Sequence, residues 1–322
     1  MSGRVSAASD NANGGKVSRQ INVVLRNPEP PAPIEPEQLV GGKSVPASGK
    51  LGEIFLELEQ MVGLECVKDI VYEVYALLQI GLIRAEVGLL QNAHVFHMVF
   101  KGNPGTGKTT VARIVARLFQ EMGVLSKGHL IEVERADLVG EYIGHTALKT
   151  REMVKKSIGG ILFIDEAYSL ARGGEKDFGK EAIDTLVKAM EDYKNQFVLI
   201  LAGYQDEMDT FLQTNPGLPS RFPIHIEFPD YTVDQLMQIA ELMTKERQYV
   251  LSPQSELKLR QHLTQEKQKL AEIFSNARYV RNTLEKSIRH QAVRLLQLQM
   301  QTYSKQELMT LRQEDFRLDK KK

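Results

Sequence analysis

The sequence has little cysteine, no excess of charge of either sign and no long apolar run. It has a single cysteine, Cys66, so it can form no disulfide within the chain, which is typical of a reducing compartment. Its 41 basic residues balance 41 acidic ones, so net charge makes nucleic acid or an anionic membrane an unlikely main partner. No apolar run approaches the ~18 residues of a membrane span, and the N-terminus lacks the pattern of a secretory signal. These absences predict a soluble cytoplasmic protein.

What the sequence does contain is a stretch that matches G-x-x-x-x-G-K-[ST], the pattern of a phosphate-binding loop, or P-loop. Glycine allows backbone torsions that strain other residues, so successive N–H groups can turn toward one anion. Lys108 would place its charge on the outer phosphates of ATP, and the Thr109 hydroxyl would ligate the Mg²⁺ that bridges them. The residues predicted to bind the nucleotide here are Gly102, Asn103, Pro104, Gly105, Thr106, Gly107, Lys108, Thr109 and Thr110.

The elements around the P-loop predict an α/β domain over residues 51–229. A β-like run precedes the loop, and apolar residues at helical spacing follow it from Val111 to Met122. The apolar runs of strand length are residues 94–100, 129–133, 160–164, 197–203 and 224–228. Five strands separated by helices predict a parallel five-stranded sheet.

The regions on either side of this domain differ in composition. Residues 1–50 are rich in Ser, Gly, Asn and Pro, which predicts a disordered tail because such a stretch can bury little apolar surface. Residues 230–322 lose the strand signals and show helix caps at Thr232 and Ser252. They predict a small all-helical domain.

Two carboxylates follow the apolar run that ends at Ile164. A continuous apolar run predicts a strand buried on both faces, and ligands bind beyond the carboxyl ends of such strands. Asp165 is therefore placed to hold Mg²⁺, directly or through water, and Glu166 to polarise an attacking water.

Taken together, these motifs resemble the AAA+ ATPase family, and within it the CbxX/CfqX group. The similarity covers the chain from about Leu51 to Asp315. The narrower signals are the stretches Val139–Thr146, Ala202–Tyr204, Asn215–Phe222 and Asn276–Asn282. The resemblance implies a P-loop NTPase fold with a helical lid, and a ring, usually a hexamer, that holds ATP between neighbouring subunits.

The resemblance also implies roles for residues outside the P-loop. Val62 and Gly63 match the segment near adenine. Arg221 matches the arginine that reaches the γ-phosphate of a neighbouring subunit, where a guanidinium stabilises the transferring phosphoryl group. Arg278 matches the arginine of the lid that senses nucleotide, and Arg281 is a rival for that role.

Two further features concern motion and sensing. Tyr142-Ile143-Gly144 resembles the loop that lines the pore of AAA+ remodelling machines, where an aromatic ring grips a polypeptide; a tyrosine that anchors the loop by burial is the alternative. Tyr204 departs from the family pattern, since many members have a short polar residue, often Asn, at this position. A nucleotide-sensing role for Tyr204 is therefore open.

The resulting hypothesis is a Mg-ATP-dependent ring ATPase that remodels a protein client, with a role in spore maturation implied by the resemblance. The alternatives are a Rubisco-activase-like ATPase and a nucleotide-switched scaffold, although the intact Asp165-Glu166 pair argues against a scaffold. AAA+ rings also act on DNA, but the neutral charge and the aromatic loop favour a protein client.

Overall fold

The computed structural model describes most of the chain. The described residues are 37–40, 43–46, 48–90, 94–142, 144–173, 177–270, 274–298 and 302–317. Among these residues, no helix combines the length and the apolar character needed to cross a membrane.

The described part begins with a hairpin. Strands β1 (Glu37–Val40) and β2 (Lys43–Pro46) pair antiparallel, and both contact the helix that begins at Gly49. The expectation of a disordered tail to residue 50 is therefore wrong for β1, β2 and the first residues of α1. Composition does not reveal strands of four residues. Residues 1–36 lie outside the described residues.

An α/β domain follows the hairpin. Its helices are α1 (Gly49–Gln60), α2 (Glu65–Glu86), α3 (Lys108–Glu121), α4 (Arg135–Leu138), α5 (His145–Ser157), α6 (Gly179–Asp192), α7 (Gln205–Gln213) and α8 (Gly217–Arg221), with a 3-10 helix over Ala167–Ala171. Its strands are β3 (Met98–Gly102), β4 (Leu130–Val133), β5 (Ile161–Ile164), β6 (Val198–Gly203) and β7 (Ile224–Phe228). They form one parallel sheet in the order β4-β5-β6-β3-β7, so the predicted five-stranded parallel sheet is confirmed.

Buried side chains cover both faces of this sheet. Successive residues of a strand point to opposite faces, so Phe100 and Phe163 belong to one apolar cluster, whereas Val99 and Leu162 belong to another. The first cluster packs against residues of α1, α2 and α3, and the second against residues of α6 and α7. A sheet covered on both faces explains why the inner strands β5 and β6 are continuous apolar runs, whereas the edge strands β4 and β7 carry exposed polar residues, Glu132 in β4 and His225 and Glu227 in β7.

The C-terminal part is helical, as the sequence predicts. Its helices are α9 (Val233–Glu246), α10 (Pro253–Lys269), α11 (Asn276–Gln297) and α12 (Lys305–Met309), with a 3-10 helix over Gln313–Asp315. The sequence analysis missed one feature: strands β8 (Val250–Leu251) and β9 (Thr310–Leu311) pair in parallel. The capping box of Thr232 and Gln235 and the cap at Ser252 occur as predicted.

His97 lies immediately before strand β3 and is buried, whereas His94 is exposed. The Nδ1 atom of His97 accepts a hydrogen bond from the backbone N–H of Leu199 at 3.0 Å, and its ring lies between those of Phe197 and Phe222. Burial lowers the pKa of His97 from 6.5 to about 4. The imidazole is therefore neutral in the folded protein at neutral pH, and protonation of Nδ1 would break its bond to the neighbouring strand.

We expect His97 to make the folded state sensitive to acid. As the pH falls from 6.5 toward 4, the unfolded chain takes up a proton at this position that the folded chain refuses, so stability declines in that window. Between pH 7.5 and 4.5 the wild type should lose about 2–3 kcal/mol of unfolding free energy more than the variant His97→Gln. Urea denaturation at both pH values measures this difference. His94→Gln is the matched control and should behave as the wild type does; an equal pH dependence in wild type and His97→Gln would contradict the assignment.

Candidate nucleotide site

The P-loop joins strand β3 to helix α3. Strand β3 ends at Gly102, and α3 begins at Lys108, so the first backbone N–H groups of the helix face the loop. The Lys108 ammonium donates to the carbonyl oxygens of Gly102 at 2.7 Å and of Asn103 at 2.9 Å. The buried Thr106 hydroxyl also donates to the Asn103 carbonyl at 2.8 Å. These bonds hold the loop as a closed turn around the helix N-terminus.

Two glycines of the loop are required by close approach. A Cβ at Gly102 would lie 2.8 Å from Cβ of Phe228 on the neighbouring strand. Gly105 has φ of +72°, and a Cβ there would collide with the carbonyl oxygen of Ser275 and lie 2.8 Å from the backbone nitrogen of Arg278. The loop is thus packed between β7 and the first turn of α11, where only glycine fits.

A cleft of about 240 Å³ opens above the P-loop. It brings together most of the residues that the sequence predicts for the nucleotide. Those that line it are Gly102, Pro104, Gly105, Gly107, Lys108, Thr109, Thr110, Asp165, Glu166, Tyr204 and Arg278. Gly203, Ala277 and Arg281 line it as well. Asn103 and Thr106 are not among the lining residues; their hydrogen bonds shape the loop from behind.

The acid pair lies at the carboxyl end of β5. The backbone N–H of Glu166 donates to Oδ1 of Asp165 at 3.0 Å, and Glu166 has φ of +47°, a value that is rare for a residue with a Cβ. Such strain is common at functional sites. The Thr109 hydroxyl and the Asp165 carboxylate face the same cleft, and they are the hard oxygen donors that Mg²⁺ prefers. The residues present therefore fit a magnesium ion held together with nucleotide phosphates.

Charges of both signs surround Lys108. Burial lowers the pKa of Lys108 from 10.5 to about 8, and the nearby positive charge of Arg278 acts in the same direction. The carboxylates of Asp165, Asp230 and Glu166 raise the pKa in opposition. A polyphosphate in the cleft would favour the charged amine in the same way, because an opposite charge nearby favours the ionised form.

The predicted adenine segment lies between the sheet domain and α9. A Cβ on Gly63 would collide with the side chain of Gln235, the residue that completes the capping box of α9. A Cβ on Gly107 would lie 3.1 Å from Met61 and 3.5 Å from Leu64. The residues on either side of Val62 and Gly63 thus contact the P-loop, although Val62 and Gly63 do not line the cleft itself.

Tyr204 lies where the sequence predicts a sensor. It follows β6, lines the cleft and precedes helix α7. Its ring centroid lies 5.8 Å from that of Tyr168, over which the Arg172 guanidinium is placed at 4.5 Å. This position allows a polar tyrosine tip to face a nucleotide while the ring stays packed.

Arg221 is outside this chain's own cleft. It ends α8, pairs with the Glu191 carboxylate and donates to the carbonyl oxygen of Gly217 at 2.8 Å. The side chain is about one quarter exposed. The structure therefore does not bring Arg221 to Lys108 or Glu166 within one chain.

The predicted pore loop stands out from the surface. Tyr142 is 66% exposed, and its ring touches only His145 among the aromatic rings of the described residues, with centroids 5.4 Å apart. Gly144 has φ of +81° and precedes α5. Ile143 lies outside the described residues. The exposure of Tyr142 does not fit the alternative of a tyrosine that anchors the loop by burial.

The sequence analysis missed Asp230 and Tyr231, which contact the P-loop from the end of β7. The Asn103 side-chain amide donates to both carboxylate oxygens of Asp230 at 3.0 Å, and the Tyr231 hydroxyl donates to the Thr106 carbonyl at 3.0 Å. A carboxylate two residues after the end of a predicted parallel strand was the available signal, similar to the one that identified Asp165 directly after β5.

A P-loop and an acid pair at one edge of a parallel sheet, with a helical region packed on that loop, define a P-loop nucleotide-binding protein. The model for the ATPase family associated with various cellular activities (AAA) matches residues 98–230, and that for the AAA lid domain matches residues 232–322. The chain belongs to this AAA ATPase family.

Similar proteins support that assignment. The chain is 58% identical to stage V sporulation protein K of Bacillus subtilis over 93% of this chain and 94% of that protein. It is 43% identical to the chloroplastic ribulose bisphosphate carboxylase/oxygenase activase of Cyanidioschyzon merolae over 83% of this chain and 91% of that protein. The structure of the FIGL-1 AAA domain in complex with ADP covers 80% of both chains with a TM-score of 0.53 and 15% identity, which shows a shared fold.

The lowered pKa of Lys108 gives a test of its contact with phosphate. Above a pH of about 8 the free protein increasingly carries a neutral amine there, which attracts phosphate less. The dissociation constant of Mg-ATP should be constant near pH 7 and rise by up to about tenfold per pH unit above 8. Equilibrium binding of a fluorescent ATP analogue from pH 6.5 to 9.5 measures it. Lys149→Met, which removes an exposed lysine, should keep the wild-type profile. A flat profile in the wild type would contradict the combination of a lowered pKa at Lys108 and its contact with the phosphates.

Proposed function

We propose that this protein is a Mg-ATP-dependent ring ATPase, with the nucleotide bound between neighbouring subunits of a homo-oligomer, a hexamer by family analogy. The observation that carries the proposal is the single cleft that collects Lys108, Thr109, Asp165 and Glu166. Membership of the AAA ATPase family supports ATP hydrolysis in general.

In the proposed mechanism each residue has one role. Lys108 binds the outer phosphates, and Thr109 and Asp165 would hold a Mg²⁺ ion, which would supply neutralisation of the phosphate charge. Glu166 accepts a proton from the attacking water. Arg221 of a neighbouring subunit stabilises the charge on the transferring phosphoryl group, which is supported by its place outside its own cleft.

The domain organisation proposed with this function has an N-terminal tail, a nucleotide-binding domain to residue 229 and a lid over residues 230–322. The matches of the two family models on either side of residue 231 support this boundary. The hairpin and α1 belong with the nucleotide-binding domain, since they precede and contact it.

We further propose that ATP turnover remodels a protein client in the cytoplasm, with Tyr142 gripping the polypeptide. The exposure of Tyr142 beside the positive-φ Gly144 supports this role, because an exposed aromatic ring can pack on many sequences. The 58% sequence identity to stage V sporulation protein K supports a role in spore maturation.

A second candidate function is a Rubisco-activase-like activity. The 43% identity to the Rubisco activase of C. merolae favours it, since that relative also covers most of this chain. Both candidates share the ATPase mechanism, and they differ in the client protein. Only the Rubisco-activase-like function predicts that ribulose bisphosphate changes the ATPase rate.

The shared site can be tested by subunit mixing. Glu166→Gln and Arg221→Ala should each lower kcat by on the order of 10²-fold or more, and Glu166→Gln should still bind ATP. An equimolar mixture of the two variants should recover part of the activity, because an Arg221→Ala subunit supplies Glu166 and its neighbour supplies the arginine. Steady-state ATP hydrolysis at several protein concentrations measures this recovery.

Arg247→Ala is the matched control, since Arg247 forms a surface pair with Glu285 and should leave kcat unchanged. If Glu166→Gln keeps the wild-type rate, the assigned hydrolytic mechanism is wrong. If the two variants co-assemble and the mixture stays inactive, the site is not shared between subunits.

The two candidate functions can be separated with two additions to the same assay. A permanently unfolded polypeptide should raise the ATPase rate roughly twofold or more, because the exposed ring of Tyr142 packs against it. Tyr142→Ala should lose this stimulation, and Tyr142→Phe should keep it. Leu148→Ala removes another exposed apolar side chain and should keep the response. A rate that responds to ribulose bisphosphate instead, and not to the polypeptide, would favour the Rubisco-activase-like function.

A further inference from the structure

The chain passes from the sheet to the helical part through a short link. Strand β7 ends at Phe228 and helix α9 begins at Val233, so Asp230 lies in the link between them. The pairing of Phe228 with Gly102 in the sheet puts this link directly beside the start of the P-loop. A side chain in the link can therefore contact both parts of the nucleotide site.

The Asp230 carboxylate makes that double contact. On one side it accepts hydrogen bonds from the Asn103 amide of the P-loop, at 3.0 Å to each oxygen. On the other side it accepts a bond of 2.7 Å from the amide of Asn276, the first residue of α11. One carboxylate thus joins the phosphate-binding loop to the helix that carries Arg278, and bonds to an ionised acceptor are the stronger kind.

The conformation of Asn276 is restricted by its burial, its backbone angle and its hydrogen bonds. It is completely buried, and φ is +45° at this position. Its amide also donates to the carbonyl oxygen of Phe274 at 3.0 Å, and its side-chain oxygen accepts from the backbone N–H of Tyr231 at 3.0 Å. The amide also donates to the carbonyl oxygen of Pro104 at 3.4 Å, and these bonds together fix the position of Asn276.

Ala277 and Arg278 follow Asn276 in the chain and connect it to the cleft. The backbone N–H of Ala277 donates to the carbonyl oxygen of Gly105 at 3.1 Å, so the first turn of α11 lies on the P-loop. Ala277 and Arg278 both line the cleft. The side chain of Arg278 therefore starts from a backbone that Asn276 and Gly105 hold in place.

We propose that Asp230 is a positioning residue of the nucleotide site: its carboxylate joins Asn103 to Asn276 and thereby holds Arg278 toward the outer phosphates of ATP. This inference rests on the proposed ATP-binding function and adds a structural link between the phosphate-binding loop and the lid. Asp230 touches neither nucleotide nor metal in this role, and it acts through Arg278.

The same link makes the lid responsive to what the P-loop binds. The carbonyl oxygen of Asn103 accepts hydrogen bonds from Lys108 and Thr106, while its side chain binds Asp230. Phosphate groups would compete with that carbonyl for the Lys108 ammonium. A change at Lys108 would thus reach Asn276 through Asn103 and Asp230, along three hydrogen bonds.

A purely local role for Asp230 in starting helix α9 does not account for these contacts. The N-terminus of α9 is already closed by the reciprocal bonds of Thr232 and Gln235, at 2.8 and 3.2 Å. Neither bond involves Asp230. Its hydrogen bonds in the described structure go to the P-loop and to α11, so its removal should affect the site more than the helix.

The test measures the affinity for Mg-ATP and Mg-ADP by equilibrium binding to the full chain. Asp230→Asn keeps the shape and can still accept at the Oδ1 position, but it removes the negative charge and sets an NH2 group at the Oδ2 position against the amide of Asn103. Both changes weaken the link between Asn103 and Asn276. We expect the variant to bind Mg-ATP roughly tenfold more weakly while Mg-ADP changes less than about threefold, because the γ-phosphate contact of Arg278 is what is lost.

Two further variants distinguish positioning from folding. Asn276→Gly suits the positive φ, leaves Asp230 in place and should show the same selective loss for Mg-ATP. Arg278→Ala should show that loss too, and Asp230→Asn combined with Arg278→Ala should be no weaker than Arg278→Ala alone, since both act on one interaction. Asp234→Asn is the matched control, because Asp234 is exposed and pairs with Arg260 on the surface. Thermal unfolding reports whether each variant is folded.

The outcomes separate this inference from the proposed function. If folded Asp230→Asn and Asn276→Gly keep the wild-type ratio of ATP to ADP affinity, or if the losses of Asp230→Asn and Arg278→Ala multiply, the positioning role is overturned while ATP binding stands. If the wild type binds both nucleotides but does not hydrolyse ATP, the hydrolytic function fails, and the binding comparison still decides the role of Asp230.

Discussion

The parallel pairing of β3 with β6 and β7 is the constraint on which the nucleotide site depends. The register sets Lys101 beside Gly203 on one side and Gly102 beside Phe228 on the other. Parallel strands end at the same edge, so the P-loop, the tyrosine after β6 and the aspartate after β7 are brought together without any long-range loop. The helix N-terminus of α3 then supplies N–H groups at that edge, and the apolar clusters on both faces of the sheet keep the edge rigid.

The features that were predictable from the sequence are those whose signals are local. The P-loop, the five strands and the caps at Thr232 and Ser252 each depend on a few neighbouring residues, and each occurs as expected. The hairpin of β1 and β2 has no distinct sequence signal, because the glycines and prolines in and before it are equally typical of a disordered tail. Strands β8 and β9 were missed because two residues show no period, and their partners lie about sixty positions apart in the chain.

The features that were not predictable depend on contacts between distant segments. Nothing near Arg221 in the sequence reveals that it pairs with Glu191 of α6, or that it stays outside its own cleft. Likewise, Asp230 meets Asn103 and Asn276 only because the sheet register and the first turn of α11 converge there. Hydrogen-bond networks of this kind depend on tertiary packing, so a single sequence can indicate a polar residue at a strand end but not its partners.

The charges around the cleft give a physical reason to expect that nucleotide binding affects the position of the helical lid. Lys108, Arg278 and Arg281 border one small cavity, and Arg278 lowers the pKa of Lys108 through like-charge repulsion. The carboxylates of Asp165, Glu166 and Asp230 offset part of that repulsion, but Asp230 is already committed to two amides. An anion held between the basic side chains would relieve the remainder, and a triphosphate reaches further toward Arg278 than a diphosphate does. In the proposed function, these charges would couple the position of α11 to the charge of the nucleotide in the P-loop within a single subunit.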